Sequence, residues 1–269
     1  MSPVGGIGPA SRAEIARALR GKRFITPETV ASALGTDATT AAKKLSRWTE
    51  AGWMRRVRRG LYFAVPVDVE HPETWAEDAR VMAHEVWKPC YFTGWTAANH
   101  WALSEQLFRT TVLKTSARVR RTSVRLLDAE YLVMHVEPSH IDWGLATVWH
   151  QDVRLRFADP ARTVIDVLDK PRIGGGIRHV AEILNSYLDE HELDRLLEYG
   201  DRLGNHTVFK RLGYLLEILG RSDHRLVIES QKRMTVGISL LDPDSPDSGP
   251  RVARWGLRAN VRVEEMSPS

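Results

Sequence analysis

The feature of this sequence that most constrains its fold is a short β-hairpin pattern close to the N-terminus. Two runs rich in apolar and aromatic residues, "WMRRV" and "LYFAV", occupy residues 53–57 and 61–65 and are separated by "RRG". Gly60 suits the left-handed position of a three-residue hairpin loop. The hairpin follows three segments with helical patterns, and the fold it implies depends on those segments.

Two of the three predicted helices are bounded by residues typical of helix ends. The first covers "SRAEIARALRG", with Ser11 as the N-cap and Gly21 as the stop. The second begins at Thr26 as the N-cap, has Pro27 at its first helical position, and ends at Gly35. Both segments repeat apolar residues at the spacing of one helical face, as expected of short amphipathic helices.

The third predicted helix, "TDATTAAKKLSRWTEAG", has Thr36 or Asp37 as its N-cap and ends at Gly52. Its inner stripe follows the 3.6-residue period and consists of Ala38, Ala41, Leu45 and Trp48. The opposite face carries a ridge of polar residues spaced i, i+3, i+4 and i+7, namely Thr40, Lys43, Lys44 and Arg47. Three helices followed by a hairpin predict a winged helix-turn-helix, whose third helix enters the DNA major groove while the wing lies on adjacent backbone.

Charge is distributed unevenly along the chain. Residues 1–66 contain 12 Lys and Arg against 4 Asp and Glu, a net of +8, and the remaining 26 basic and 30 acidic residues give −4. A basic front joined to a mildly acidic body indicates a nucleic-acid-binding segment on a chain with a second role. We therefore predict an α+β protein with a winged-helix DNA-binding domain over residues 1–68 and a larger mixed α/β domain over residues 69–269.

Nine side chains on the third helix and the hairpin are predicted to contact DNA. Lys and Arg release counterions condensed on DNA phosphates, and short Thr side chains allow a helix to approach the groove closely. Arg58 and Arg59 at the hairpin tip are the strongest candidates, whereas only one of Arg55 and Arg56 should face DNA because strand residues alternate. The alternative, a merely solvated helix face, has to account for four arginines on the next hairpin. The complete set is Thr39, Thr40, Lys43, Lys44, Arg47, Arg55, Arg56, Arg58 and Arg59.

The body alternates helical and strand patterns without internal repeats. Helices are predicted within residues 71–87, after Gly94, after the cap pair Asp159 and Pro160, and as three consecutive amphipathic segments between Ile177 and Leu219. Strands are predicted at "TTVLKT", "VRLL", "YLVMHV" and "VRLRFA", and again in the tail at "LVIES", "TVGISLL" and "ARWGLRANVRV". The terminal "MSPS" is expected to be disordered.

No catalytic, metal or cofactor site is predicted. His135, Glu137, His140 and Asp142 have no standard ligand spacing, and Pro138 breaks any helix that would align them, so we expect a surface strand and turn. Glycines at 174–176 lack the features of a phosphate-binding loop and are interpreted as a flexible connection between helices. The single cysteine, Cys90, is expected in the core, and no run of about 18 apolar residues predicts a membrane span.

Several blocks resemble the AbiEi family, the antitoxins of abortive-infection, type IV toxin–antitoxin pairs. These blocks are "AGWMRRVRRGLYFAV", "FTGWTAANHWALSEQLFRTT", "FADPARTVIDVLDKPRIGGGI", "RLGNHTVFKRLGYLLEIL" and "LLDPDSPDSGPRVARWGLRANV". The resemblance implies a cytoplasmic bacterial protein active in phage defence, which binds operator inverted repeats and represses its own operon. It also implies that the body counters a nucleotidyltransferase-like toxin, in some members of the family without a stable complex. Only the basic residues of the third helix and wing carry over by position.

The sequence is also compatible with two other functions. A ligand-responsive winged-helix regulator without a toxin partner would share the N-terminal pattern and differ by a small-molecule pocket in the body. A DNA-acting enzyme would require clustered carboxylates or a metal site, for which the sequence shows no convincing set.

Overall fold

The computed structural model of this chain describes residues 8–66, 75, 77–191, 193–221 and 225–263. The fold is α+β, as predicted. Two units can be distinguished: Met1–Asp78 together with Arg125–Asp128, and Ala79–Val124 together with Ala129–Ser269. The predicted domain boundary between residues 68 and 69 lies outside the described residues and stays a prediction, as does disorder of the terminal "MSPS".

The N-terminal unit contains the predicted three helices and hairpin, with one additional short strand. β3 pairs with both other strands in antiparallel fashion, giving a three-stranded sheet of order β1-β3-β2. The elements are α1 (Pro9–Leu19), β1 (Phe24–Ile25), α2 (Pro27–Leu34), α3 (Ala38–Glu50), β2 (Met54–Arg58) and β3 (Leu61–Ala64).

The ends of α2 and α3 confirm the predicted caps. The side chain of Thr26 accepts a hydrogen bond from the Thr29 amide at 3.3 Å, and Gly35 adopts the left-handed conformation at the end of α2. Asp37 caps α3. The start of α1 was predicted wrongly, because Pro9 occupies the first helical turn and places Ser11 inside the helix.

The core of the N-terminal unit lies between the helices and the small sheet. Val30 of α2 and Ala41 and Leu45 of α3 are fully buried, and Trp48 and Ile15 join the same cluster. Ala38, predicted to belong to this stripe, is exposed because it lies in the first turn of α3, before the helix meets the sheet. The buried stripe fixes which face of α3 points outward.

A six-stranded mixed sheet of order β6-β7-β5-β4-β9-β8 has most of its residues in the C-terminal unit. β4 runs parallel to β9 and antiparallel to β5, β5 runs parallel to β7, and β8 is antiparallel to β9. The strands are β4 (Cys90–Phe92), β5 (Thr111–Thr115), β6 (Ser123–Leu126), β7 (Ala129–His135), β8 (Leu145–His150) and β9 (Val153–Ala158).

Seven helices and a small three-stranded sheet complete this unit within the described residues. α6 begins at the predicted cap, where the Asp159 carboxylate accepts a hydrogen bond from the Arg162 amide at 2.8 Å. The helices are α4 (Ala79–Trp87), α5 (Gly94–His100), α6 (Pro160–Asp169), α7 (Ile177–Glu190), α8 (Asp194–Leu203), α9 (Thr207–Ile218) and α10 (Arg225–Arg233). The small sheet, of order β10-β12-β11, contains β10 (Ser239–Leu240), β11 (Arg251–Val252) and β12 (Leu257–Arg258).

Two interpretations of the body sequence are corrected by the structure. "LVIES" forms part of α10 rather than a strand, because Leu226, Val227 and Ser230 are buried at helical spacing. The glycines at 174–176 do connect two helices, α6 and α7, but Gly174 is buried and closely packed, so the connection is not flexible at that position. A Cβ added to Gly174 would lie 2.7 Å from a Val180 side-chain carbon. In the described part of the chain, no helix is long and apolar enough to cross a membrane.

Candidate nucleic-acid interface

Two basic side chains on the outer face of α3 have no partner among the described residues. Lys43 and Arg47 are exposed, one helical turn apart, and neither side chain forms a hydrogen bond or ion pair within the described ranges. Thr39 is also exposed and precedes Lys43 by one turn. Ala41, Leu45 and Trp48 hold the opposite face of α3 in the core. Thr39, Lys43 and Arg47 therefore form a ridge that points outward in a fixed direction.

Thr40 belongs to the helix cap rather than to the free ridge. Its amide donates to one carboxylate oxygen of Asp37 at 2.9 Å, and its hydroxyl donates to the other at 2.6 Å. These hydrogen bonds from Thr40 lower the pKa of the exposed Asp37 carboxyl, which therefore stays ionised at neutral pH. The cap fixes the start of the helix, and the negative charge of Asp37 complements the helix dipole.

Lys44 faces α1 and is already paired. Its ammonium donates to both carboxylate oxygens of Glu14, at 2.9 and 2.7 Å. Both side chains are about a quarter exposed, at 27% each. This pair connects α1 to α3 and neutralises much of the Lys44 charge locally, so Lys44 has less positive potential to offer DNA than Lys43 or Arg47.

The wing, which is the hairpin of β2 and β3, carries three exposed arginines, namely Arg56, Arg58 and Arg59. Arg58 ends β2, Arg59 lies in the turn, and Gly60 adopts a φ of +78°, which a residue with a side chain rarely takes. The connection therefore has two residues rather than the predicted three. A register irregularity lies between Arg56 and Arg58, and both of these side chains are exposed while the intervening Val57 is buried.

Arg55 lies on the other face of β2 from Arg56, as the alternation predicts. Its guanidinium donates to the backbone carbonyl of Trp75, and its side chain is 20% exposed. Trp75 packs in turn on Phe63 of β3, with the ring centroids 5.3 Å apart. Arg55 therefore has a partner outside the hairpin, whereas Arg56 is exposed and its Nε donates to the Arg58 carbonyl at 3.4 Å.

The nine predicted residues thus separate into two groups. Thr40, Lys44 and Arg55 already have partners in the N-terminal unit. The other six form an exposed set on the ridge of α3 and on the wing, with five positive charges and no carboxylate paired to any of them among the described residues: Thr39, Lys43, Arg47, Arg56, Arg58 and Arg59. Such a set suits the phosphates of duplex DNA, and its arginines can also bind guanine edges.

Sequence reasoning missed a buried ionic cluster in the body. The Asp166 carboxylate lies 2.9 Å from the Lys114 ammonium and 2.9 Å from the Arg162 guanidinium, and it accepts a hydrogen bond from the Thr93 hydroxyl at 2.7 Å. Burial alone would raise the pKa of Asp166, but the two cations hold it at about 2. All three charged side chains are at most 3% exposed, so the cluster lies within the core and is not accessible to a substrate.

Asp142 and Cys90, two of the residues considered for chemistry, have structural surroundings instead. Among the residues that the structure describes, no three His, Cys, Asp or Glu side chains are grouped to hold a metal ion. Asp142 pairs with Arg156 at 3.0 Å rather than with the neighbouring histidines. Cys90 is buried as predicted, and burial raises the pKa of its thiol to about 12, so the thiol stays protonated at neutral pH.

Comparisons with known proteins agree with this geometry. Residues 12–64 match a family model described as "Transcriptional regulator, AbiEi antitoxin". No curated protein matches the chain. Among solved structures, the crystal structure of the RV2827C protein from Mycobacterium tuberculosis is similar, with a TM-score of 0.60 and 16% identity over 95% of this chain and 94% of that one, a likeness that concerns the fold. The chain therefore carries at its N-terminus a transcriptional-regulator domain of the AbiEi antitoxin family.

Proposed function

We propose that this chain is a bacterial antitoxin that also represses its own operon, with the N-terminal unit as the DNA-binding part. The observation that carries the DNA-binding half is the exposed set of five cations on α3 and the wing, held on a winged-helix frame. In that frame the third helix docks in the major groove and the wing lies on the adjacent backbone. In this proposal the protein is cytoplasmic and binds inverted repeats in the operator of its own operon.

The roles of the DNA-binding residues differ in this proposal. Lys43 and Arg47 lie where a docked α3 reaches base edges and phosphates, and Thr39 allows close approach at the start of the helix. Arg56, Arg58 and Arg59 bind backbone phosphates beside the groove. Lys44 and Arg55 hold the domain together through Glu14 and the Trp75 carbonyl. With five phosphates neutralised, log affinity falls against log salt with a slope of about −4.5.

The second half of the proposal concerns the body. The family description of the N-terminal domain as an antitoxin supports a body that counters a partner toxin, for which a nucleotidyltransferase-like enzyme is the expected class. Neutralisation need not involve a stable complex. An adjacent gene for such an enzyme would favour the antitoxin over a ligand-responsive regulator with no toxin partner.

Both halves can be tested in one bacterial host. A reporter under the chain's own promoter measures repression, and co-expression with the neighbouring toxin gene measures rescue of growth. We expect the Lys43→Ala, Arg47→Ala, Arg56→Ala, Arg58→Ala quadruple variant to lose repression and to keep rescue. Full repression by this variant contradicts the DNA-binding half, and failure of the unaltered chain to rescue growth contradicts the antitoxin half.

A further inference from the structure

A second stretch of unbalanced positive charge lies in the body, outside the winged helix. Between Glu105 and Asp128 the sequence has six Arg and Lys residues and no Asp or Glu. Three of the six fall in four residues of the connection between β5 and β6, namely Arg118, Arg120 and Arg121. All three are exposed. This local excess of positive charge contrasts with the net charge of −4 over residues 67–269 as a whole.

The three arginines have no partner that would explain them structurally. Over the described ranges, none of their side chains forms a hydrogen bond, an ion pair or an aromatic contact. Lys114 of the same stretch shows the contrast, because its ammonium is buried and paired with Asp166 at 2.9 Å. Like charges this close in sequence repel one another, and no partner among the described residues offsets that repulsion. The crowding therefore gives the folded chain no stability.

The neighbouring residues indicate which kind of polyanion fits. Residues 116–125 contain no aromatic residue, while small or hydroxyl side chains such as Ser116, Thr122 and Ser123 flank the arginines. Protein interfaces usually have aromatic anchors, and single-stranded nucleic acid usually stacks its bases on aromatic rings. A cluster of arginines and hydroxyls without aromatic residues suits the sugar-phosphate backbone of a duplex. There each guanidinium group can donate two parallel hydrogen bonds to a phosphate group.

We infer that Arg118, Arg120 and Arg121 form a second phosphate-binding surface, the body arginine cluster, which takes the backbone of duplex DNA. The inference rests on the proposed function, because duplex DNA is the polyanion that the N-terminal unit is proposed to bind. The cluster adds affinity without sequence preference, since backbone contacts carry no base information. The body then contributes to DNA binding as well as to the antitoxin role.

The experiment measures binding of the full chain to its promoter DNA across a salt series. If each arginine neutralises one phosphate, the Arg118→Gln, Arg120→Gln, Arg121→Gln variant has a slope of log affinity against log salt shallower by about 2.7. At 0.15 M salt this is a loss on the order of a hundred-fold. Promoter and unrelated DNA should lose affinity equally. The Arg→Lys triple variant keeps the steeper slope because it keeps the charge.

A charge-matched control separates local contact from overall charge. Lys170, Arg172 and Arg251 are exposed cations elsewhere in the body, and their triple Gln variant removes the same charge. We expect it to keep the wild-type slope within about 0.5, because distant exposed charges are screened at this ionic strength. Equal thermal unfolding midpoints for both variants and the wild type confirm that the fold is retained.

Three results overturn the inference. The first is a slope for the body-cluster variant that equals that of the control. The second is that this variant keeps the wild-type slope on DNA but no longer binds a structured RNA such as a transfer RNA. The third is that it keeps the wild-type slope on DNA but no longer rescues growth from the toxin. A Lys43→Gln, Arg47→Gln variant with undiminished DNA affinity would instead contradict the proposed function, so the two failures are distinguishable.

Discussion

Adjacent lysines on α3 should differ sharply in their effect on DNA binding. The ammonium of Lys44 is held by both oxygens of Glu14, whereas Lys43 is exposed and has no partner among the described residues. Replacing either lysine by Gln removes one positive charge from the same helix. We predict that Lys43→Gln weakens binding to promoter DNA and that Lys44→Gln leaves it nearly unchanged.

The magnitude follows from counterion release. One phosphate contact contributes about 0.9 to the slope of log affinity against log salt, which between 1 M and 0.15 M amounts to about a five-fold change in affinity. Lys43→Gln should therefore cost about five-fold at 0.15 M salt and flatten the slope by about 0.9. Lys44→Gln should change affinity by less than about two-fold, because its charge is already compensated by Glu14.

The reverse change completes the test. Glu14→Gln frees the Lys44 ammonium, so binding should tighten and the slope should steepen by up to about 0.9. The cost in folding free energy should be about 0.2–1 kcal/mol, since both side chains are partly exposed. Fluorescence anisotropy with labelled promoter DNA measures affinity, and urea unfolding measures stability. Equal losses for Lys43→Gln and Lys44→Gln would refute the assignment of Lys44 to the α1–α3 contact.

Three further predictions concern the body. Asp166→Asn leaves the buried Lys114 and Arg162 without their carboxylate, so its free energy of unfolding, measured in urea, should fall by about 3–5 kcal/mol. The control Asp142→Asn breaks an exposed ion pair with Arg156 and should cost at most about 1 kcal/mol. Because the pKa of Asp166 is held at about 2 in the folded chain, below about 3.9 in the unfolded chain, its contribution is present above pH 4 and lost as pH falls toward 2. Thermal unfolding from pH 5 to pH 2 should show a smaller loss for Asp166→Asn than for the wild type. Gly213→Ala places a Cβ 2.0 Å from ring atoms of the buried Trp255, so urea unfolding should show a loss of about 3 kcal/mol or more, and a wild-type midpoint would contradict this contact.

The N-terminal unit was largely predictable because its signals are local. Thr26 with Pro27, the cap at Asp37 and the glycines at 35 and 60 each specify a helix end or a turn within a few residues. The start of α1 was missed because Pro9 at the first helical position outweighs Ser11 as a helix-start signal. The partners of Lys44 and Arg55 lie 30 and 20 residues away, and no local pattern indicates such distances.

Less of the body could be predicted because its order depends on distant contacts. Four strand patterns were found, yet the short buried strand β4 and the edge strand β8 were missed, and periodicity gives neither strand order nor direction. "LVIES" has strand-like composition but folds as a helix, since packing of Leu226 and Val227 decides the outcome. The ionic cluster at Asp166 joins α6 to β5 across 52 residues, a pairing that only the fold determines.

DNA binding through α3 and the wing is tested most directly by the salt dependence of promoter binding. The two proteins to compare are the full chain and its Lys43→Ala, Arg47→Ala, Arg56→Ala, Arg58→Ala variant. We predict a steep negative slope of log affinity against log salt for the wild type. For the variant the slope should be shallower by about 3.6, with about 0.9 for each lost contact. Affinity at 0.15 M salt should fall by several hundred-fold, about five-fold for each contact. Equal slopes and affinities for the two proteins would contradict DNA binding through α3 and the wing.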